Sequence, residues 1–297
     1  MSPLVRRPRQ TAFVSFLLVP CAIVLAAVAD AAGSAPPVSK VERTARVEPV
    51  EHVADGEELV VEGANGSIEL RGEPDAKEFR IEAFLEVDGE DEKDVARRAQ
   101  LARLYAERAP DGAVVVDAVF PGKRMPRDRA RIVVIAPRLA KTTLRAASGA
   151  IEVRGTSGIL RATNGSGAIE VRDHVGPIEA RTSSGAIVVS GASGSVRATS
   201  GSGAIEVRLA DDADDHASRI ESKSGPVLFE AGRGFDGSID ASTTGGAIVV
   251  DDPSARARVP SEGPHRTRVE VGAAAVHSEI ETSTGPITIR IRGSKRP

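Results

Sequence analysis

The chain has 297 residues, of which 27% are charged and 3% aromatic, with a formal net charge of −3, one cysteine, one tyrosine and no tryptophan. A balance this close to neutral excludes a dedicated nucleic-acid binder, whose footprint is a basic surplus, and a lone cysteine excludes a disulfide framework or a thiolate metal site. So few rings also exclude the aromatic-lined clefts that commonly recognise sugars and bases.

Arg6, Arg7 and Arg9 precede an uncharged run from Thr11 to Ala29 that ends in Ala27-Val28-Ala29. A basic start, an apolar run and a small-x-small end make a signal for export. Residues 1–29 are therefore expected to carry the protein to the periplasm or cell surface and to be removed, leaving a chain that starts near Asp30. The run is also long enough to span a bilayer, so residues 11–29 would anchor the protein if they were not cleaved. Cys21 follows Pro20 and is not a lipidation site; it leaves with the signal, and the loss of three arginines takes the mature charge to −6. That charge favours neither nucleic acid nor an anionic membrane as partner. Residues 30–40, rich in proline and small side chains, read as a linker.

Residues 41–137 are expected to hold the first strands and a capping helix. Leu59 to Arg71, Glu78 to Val87, Ala113 to Phe120 and Arg131 to Ala136 read as strands. Asp91 to Arg108 reads as a helix, with acids in its first turn, basic residues later, and a stripe of Val95, Ala99, Leu101, Ala102, Leu104 and Tyr105. Its expected role is to cover the open end of a sheet stack.

Residues 138–297 carry a repeat that continues the same domain. Gly149, Gly167, Gly185 and Gly203 follow one another at a period of 18, and Gly158, Gly176 and Gly194 halve it. One form of the unit reads SGAIEVR from Ser148, Ser166 and Ser202, and SGAIVVS from Ser184; the other reads SGILRAT from Ser157, VGPIEAR from Val175 and SGSVRAT from Ser193. Both alternate with period two, the mark of a half-buried strand after a glycine turn. A fixed period of two short strands means stacked coils, none able to bury its apolar face alone. The fold class is thus all-β, a β-solenoid of about 18 residues per coil.

Counting two and four residues past each glycine gives the inward positions: Ile151 and Val153, Ile169 and Val171, Ile187 and Val189, Ile205 and Val207 in the first form, and Leu160 and Ala162, Ile178 and Ala180, Val196 and Ala198 in the second. The outward positions give a column of Glu152, Glu170 and Glu206 beside one of Arg154, Arg172 and Arg208, with Val188 and Ser190 interrupting both. Such columns neutralise each other, and their alternating sign suits no polyanion. Gly225, Gly237, Gly246 and Gly285 continue the beat, with Val227 and Phe229, Ile239 and Ala241, Ile248 and Val250, and Ile287 and Ile289 inward. Leu209 to Ala217 and Asp251 to Arg266 read as loops or insertions between coils.

Candidate chemistry is sparse. Gly232-Arg233-Gly234-Phe235-Asp236-Gly237 matches GxGxxG, but a strand follows it instead of the helix a pyrophosphate needs. Asp211, Asp212, Asp214 and Asp215, with His216, are the nearest approach to a metal site; hard oxygen ligands suit calcium, yet the spacing lacks GGxGxD and reads as a solvated insertion. His52, His174, His216, His265 and His277 sit in unrelated segments without HExxH or His-x-His spacing, and no GxSxG elbow occurs. No catalytic residue, cofactor or metal is expected, and no nucleophile with a nearby base is apparent.

The leader, the early strand Asn65-Gly66-Ser67-Ile68-Glu69-Leu70, the helix, the strand from Arg131 to Pro137 and the SGAIEV repeats together resemble a bacterial putative-adhesin domain family of unknown function. The resemblance covers most of the mature chain, departs from the family's usual Val-Pro at Ala136-Pro137, and supplies no catalytic residues. It implies a non-enzymatic, exported scaffold that meets a component of the cell envelope or surface. The alternative from another class is a β-helical carbohydrate-active enzyme, which would need acidic and basic residues clustered along one exposed strand column.

Overall fold

The computed structural model describes residues 41–46, 57–122, 125–213, 216–261, 263–273 and 276–293. The expectations for the leader at 1–29 and the linker at 30–40 lie outside the described residues, as do His52, Asp214 and Asp215. Among the described residues no helix is long and apolar enough to cross a membrane.

The N-terminal elements are β1 (Val41–Arg46), β2 (Glu57–Asn65), β3 (Ile68–Gly72), β4 (Arg80–Val87), α1 (Glu92–Leu101), β5 (Arg103–Arg108), β6 (Val114–Val119) and β7 (Arg129–Ala136). The expected single strand from Leu59 to Arg71 is two strands in different sheets, because Gly66 turns the chain at φ +123°. The helix is shorter than expected. Asp91 caps it by accepting from the Asp94 N–H at 2.8 Å, and it stops at Leu101, after which Ala102 is extended. Arg103–Arg108 is a strand because Leu104 faces the core and the segment pairs antiparallel with β6. α1 packs against β1 and β4 at one end of the molecule. Buried Arg98 ties it there: Nη2 donates to Asp128 Oδ2 at 2.8 Å.

The repeats follow as β8 (Leu139–Ser148), β9 (Ile151–Arg154), β10 (Ile159–Ser166), β11 (Ile169–Val175), β12 (Ile178–Ser184), β13 (Ile187–Ser193), β14 (Val196–Ser202), β15 (Ile205–Leu209), β16 (Ser218–Ser224) and β17 (Val227–Ala231). Each coil gives one strand to each of two facing sheets, and parallel pairing sets every residue against the one a period later: Ile151 on Ile169, Ile169 on Ile187, Ile187 on Ile205. The inward side chains named from the sequence for these coils are all buried. The protein is an all-β solenoid whose thin core is two opposed faces of alternate residues.

The remaining strands are β18 (Gly237–Gly245), β19 (Ile248–Asp251), β20 (Ala257–Ser261), β21 (Arg266–Val271), β22 (Val276–Thr284) and β23 (Ile287–Ile291). Asp251 to Arg266 is not a plain loop, since it contains β20, which pairs antiparallel with β21. Gly237 opens β18 and is not a turn residue.

Coils do not stack in chain order at either end. The 12-stranded sheet runs β20-β21-β18-β22-β16-β14-β12-β10-β8-β2-β6-β5, and the 11-stranded sheet runs β1-β4-β7-β3-β9-β11-β13-β15-β17-β23-β19. The chain leaves β17, skips one coil position to form β18 and β19, and returns to fill the gap with β22 and β23. The other end mirrors this, with β2 and β3 held between the β6/β7 coil and the β8/β9 coil. Ile248 and Val250 are only partly buried because β19 is the last strand of its sheet.

Candidate binding surfaces

On the outer face of the 11-stranded sheet the predicted columns exist, and they are paired within each strand: Arg154 meets Glu152 at 3.2 Å, and Arg172 and Arg208 close on Glu170 and Glu206. Glu69 extends the acidic column and is held by Arg71 and by Arg131 at 2.9 Å. Burial opposes its charge, but the hydrogen bonds from the two arginines outweigh burial and keep the carboxyl below the usual carboxylate range.

The acidic insertion is built into ion pairs. Asp211 meets Arg292 at 3.1 Å and Arg233 at 3.7 Å, and Asp212 accepts from Ser193 Oγ at 2.9 Å. No cluster of three metal-ligating side chains occurs among the described residues. The GxGxxG string is a turn whose Phe235 is buried edge-on to Phe229, ring centroids 6.2 Å apart.

Two histidines have structural partners. His174 is buried, with Nδ1 2.8 Å from Thr156 Oγ1 and Nε2 2.9 Å from the Gly158 carbonyl oxygen; burial pushes its pKa below the ordinary histidine value. His277 corrects one expectation, because a nucleophile type does lie beside a base: Ser238 Oγ is 3.0 Å from His277 Nδ1, and Asp240 Oδ2 is 3.5 Å from Nε2. The trio does not form a hydrolytic site. Ser238 is 3% exposed, and it sits mid-sheet between β21 and β22, where the backbone N–H groups serve the ladder and offer no oxyanion pocket. Ser238 and His277 are 39 residues apart in sequence, so only the out-of-order pairing of β18 with β22 brings them together.

The glycine corner carries a feature that sequence reading missed. Three residues before the turn glycine, on strands of the 12-stranded sheet, comes a buried row of polar side chains, and several donate to the glycine carbonyl of the adjacent coil: Asn164 to Gly149 at 2.6 Å, Thr182 to Gly167 at 3.3 Å, Ser200 to Gly185 at 3.2 Å, Thr243 to Gly285 at 3.2 Å. Ser222 and Thr282, in register on β16 and β22, are rungs whose hydroxyls make no hydrogen bond.

Outside this row runs a trough. Two concavities, of about 580 and 650 Å³, are lined by residues two to four positions before the glycines of successive coils. The first crosses β6, β2 and β8, with Glu62, Asp117 and Arg145 in register across it and Val119 and Phe120 at the close of β6. The second crosses β12, β14, β16, β22 and β18, with Glu221 and Glu281 four positions before the turn glycines and Ser183, Lys223, Ser283 and Thr244 two before them. Only β10 separates them. Pairing skips the residue two before the glycine in coil after coil, so the ladder steps at the same place each time. A signal was present in the sequence, in the recurrence of Ser, Thr and Gly at these offsets, but no single segment carries it.

No family model matches this sequence, and no curated protein matches it. Solved structures similar to it include a putative adhesin from Bacteroides fragilis, 11% identical over 86% of this chain and 100% of that one, with a TM-score of 0.42. Others are a putative cell adhesion protein from Clostridium sporogenes, 11% identical over 84% and 99% with a TM-score of 0.33, and a putative adhesin from Parabacteroides distasonis, 9% identical over 83% and 96% with a TM-score of 0.27. Scores this low leave the activity to be argued from this chain's own residues.

Proposed function

We propose that the protein is a non-enzymatic, exported scaffold of the cell envelope that works by contact with a surface component. The observation that carries this is the recurrence of paired outward Glu and Arg on β3, β9, β11 and β15 of the 11-stranded sheet, broken at β13 by Val188 and Ser190. Repetition of weak identical contacts gives avidity without a deep pocket. Export rests on the Arg-rich start and the Ala27-Val28-Ala29 end of the apolar run.

The test has two parts. The intact mass of the protein recovered from the envelope should correspond to a chain starting near Asp30; retention of residues 1–29 would instead support the anchored form. Immobilised protein should retain whole bacterial cells or envelope fragments in low salt and release them in high salt, and failure to retain either would remove the adhesion reading.

The second reading, a carbohydrate-active enzyme, draws on one pair: Glu62 and Asp117 lie in register on neighbouring strands in the first concavity. Release of new reducing ends from polysaccharide, lost in Glu62→Gln or Asp117→Asn, would favour it.

A further inference from the structure

We propose that the trough along the glycine corner is a binding site for a linear, uncharged glycan lying across the strands, with about one sugar unit per strand. The inference goes beyond the contact reading, since it concerns the other sheet and names a ligand class.

Shape comes first. The second concavity crosses five neighbouring strands, β12-β14-β16-β22-β18, and neighbouring strands lie about 4.8 Å apart. The trough therefore offers the same step again and again at a spacing close to the length of one pyranose in an extended chain. An extended peptide rises only about 3.3 Å per residue and falls out of step within a few units. β10, the strand between the two concavities, presents exposed Gly165 at the wall position, so no side chain there blocks a longer ligand.

Chemistry narrows the class. Ser183, Ser283 and Thr244 supply hydroxyls that donate and accept, while Glu221 and Glu281, in register on β16 and β22, supply carboxylates that accept from neighbouring sugar hydroxyls. Lys223 lines the same concavity as these two acids, Arg219 closes on Glu221, and Arg145 balances Glu62 at 2.7 Å in the first concavity. Neither end has the one-signed surplus a polyanion needs. The second concavity is lined throughout by polar residues and glycine, so it offers no pocket for an apolar side chain of a peptide. Phe120, with Val119, gives the first concavity the single aromatic surface on which a terminal sugar face can rest. With one ring at one end, affinity must come from many hydrogen bonds, and it should grow with ligand length.

The experiment is calorimetric titration of the purified full chain with cello-oligosaccharides and with β-1,4-linked N-acetylglucosamine oligomers, from disaccharide to hexasaccharide. In at least one series affinity should rise with each added unit and level off near the length of the five-strand span. Ser183→Trp and Ser283→Trp, which fill the trough from its exposed wall, should each weaken the hexasaccharide about tenfold or more, the loss expected for a few hydrogen bonds. Thr288→Trp, on the outer face of the opposite sheet, should leave binding unchanged. If a tryptophan variant melts early, Glu281→Gln, which keeps size and removes charge, should still weaken binding several-fold. Absence of binding in both series, affinity independent of length, or equal binding by the filled-trough variants would overturn the proposal. So would preference for a uronic-acid oligomer that is abolished by salt. Absence of oligosaccharide binding by a protein that still retains cells would sink the glycan trough alone and leave the adhesion reading standing.

Discussion

The carbonyl oxygen of Gly149 occupies the space a side chain on Gly167 would need: a β-carbon built there lies 2.0 Å from it, and Gly167 has φ +127°. The same contact recurs up the corner, with Gly167 beneath Gly185 and Gly185 beneath Gly203 at 2.2 Å. Two independent causes, a left-handed backbone and a backbone neighbour that cannot move aside, thus fix glycine at one point per coil.

Gly167→Ala should therefore cost about 3 kcal/mol or more, combining positive-φ strain with an unrelieved clash. Ser166→Ala next to it, exposed at the same turn, should stay within about 0.5 kcal/mol. Urea unfolding midpoints of the two variants check this, and similar losses would contradict the stacked-glycine account.

The polar row beneath the corner separates hydroxyls that work from hydroxyls that do not. Ser200→Ala removes a bond to the Gly185 carbonyl and should cost about 1 kcal/mol, whereas Ser222→Ala removes a buried hydroxyl with no partner and should be neutral or stabilising. Opposite signs in thermal midpoint shifts are the expected outcome.

Arg98 and Asp128 form a dry pair, and Asp128 also accepts from the N–H groups of Asp88 at 3.0 Å and Met125 at 2.8 Å. Arg98→Ala leaves the carboxylate buried and unpaired, which should cost about 3–5 kcal/mol and free α1 from the end of the stack. Hydrogen exchange should then rise first in residues 88–101, before the central coils.

His174 sets a pH window. Its folded pKa lies below the ordinary 6.5, first because burial disfavours the imidazolium. Below about pH 6.5 the unfolded chain takes up a proton that the folded chain refuses, so stability falls as pH drops, by up to about 1.4 kcal/mol per unit, until the folded pKa is reached. Between pH 7.5 and 5 the wild type should lose more stability than His174→Gln, and parallel curves in urea titrations at the two pH values would exclude the mechanism.

Truncation after residue 275 removes β22 and β23, which lie between neighbours in both sheets. The loss exposes the edges of β16, β17, β18 and β19 together instead of shortening the stack by one coil. Proteolysis should then cut within residues 232–271, and the denaturation profile should lose its single transition.

Much of this architecture is legible in the sequence because alternation and glycine spacing are local. Ile151, Val171 and Ala198 lie where a count of two and four past each glycine puts them. The end of the helix is not legible, because Leu104 and Tyr105 continue an apolar spacing that also fits a strand, and pairing with β6 decides between the two. Coil order is not legible at all: the segments after Gly246 and Gly285 share one pattern, and only the three-dimensional neighbour, β23 on β17 instead of β19 on β17, tells them apart. The trough escaped because it is made of small residues and backbone, each unremarkable in its own segment.

Since each end of the stack is closed by segments distant in the chain, the middle is free to change length. An eighteen-residue unit inserted or lost between β9 and β17 would keep every inward and outward position, leave both closures untouched, and lengthen or shorten the trough by one strand width of about 4.8 Å. Unequal duplication within this stretch of gene would thus act as a ruler, setting how long a ligand the protein can span without redesigning a single contact.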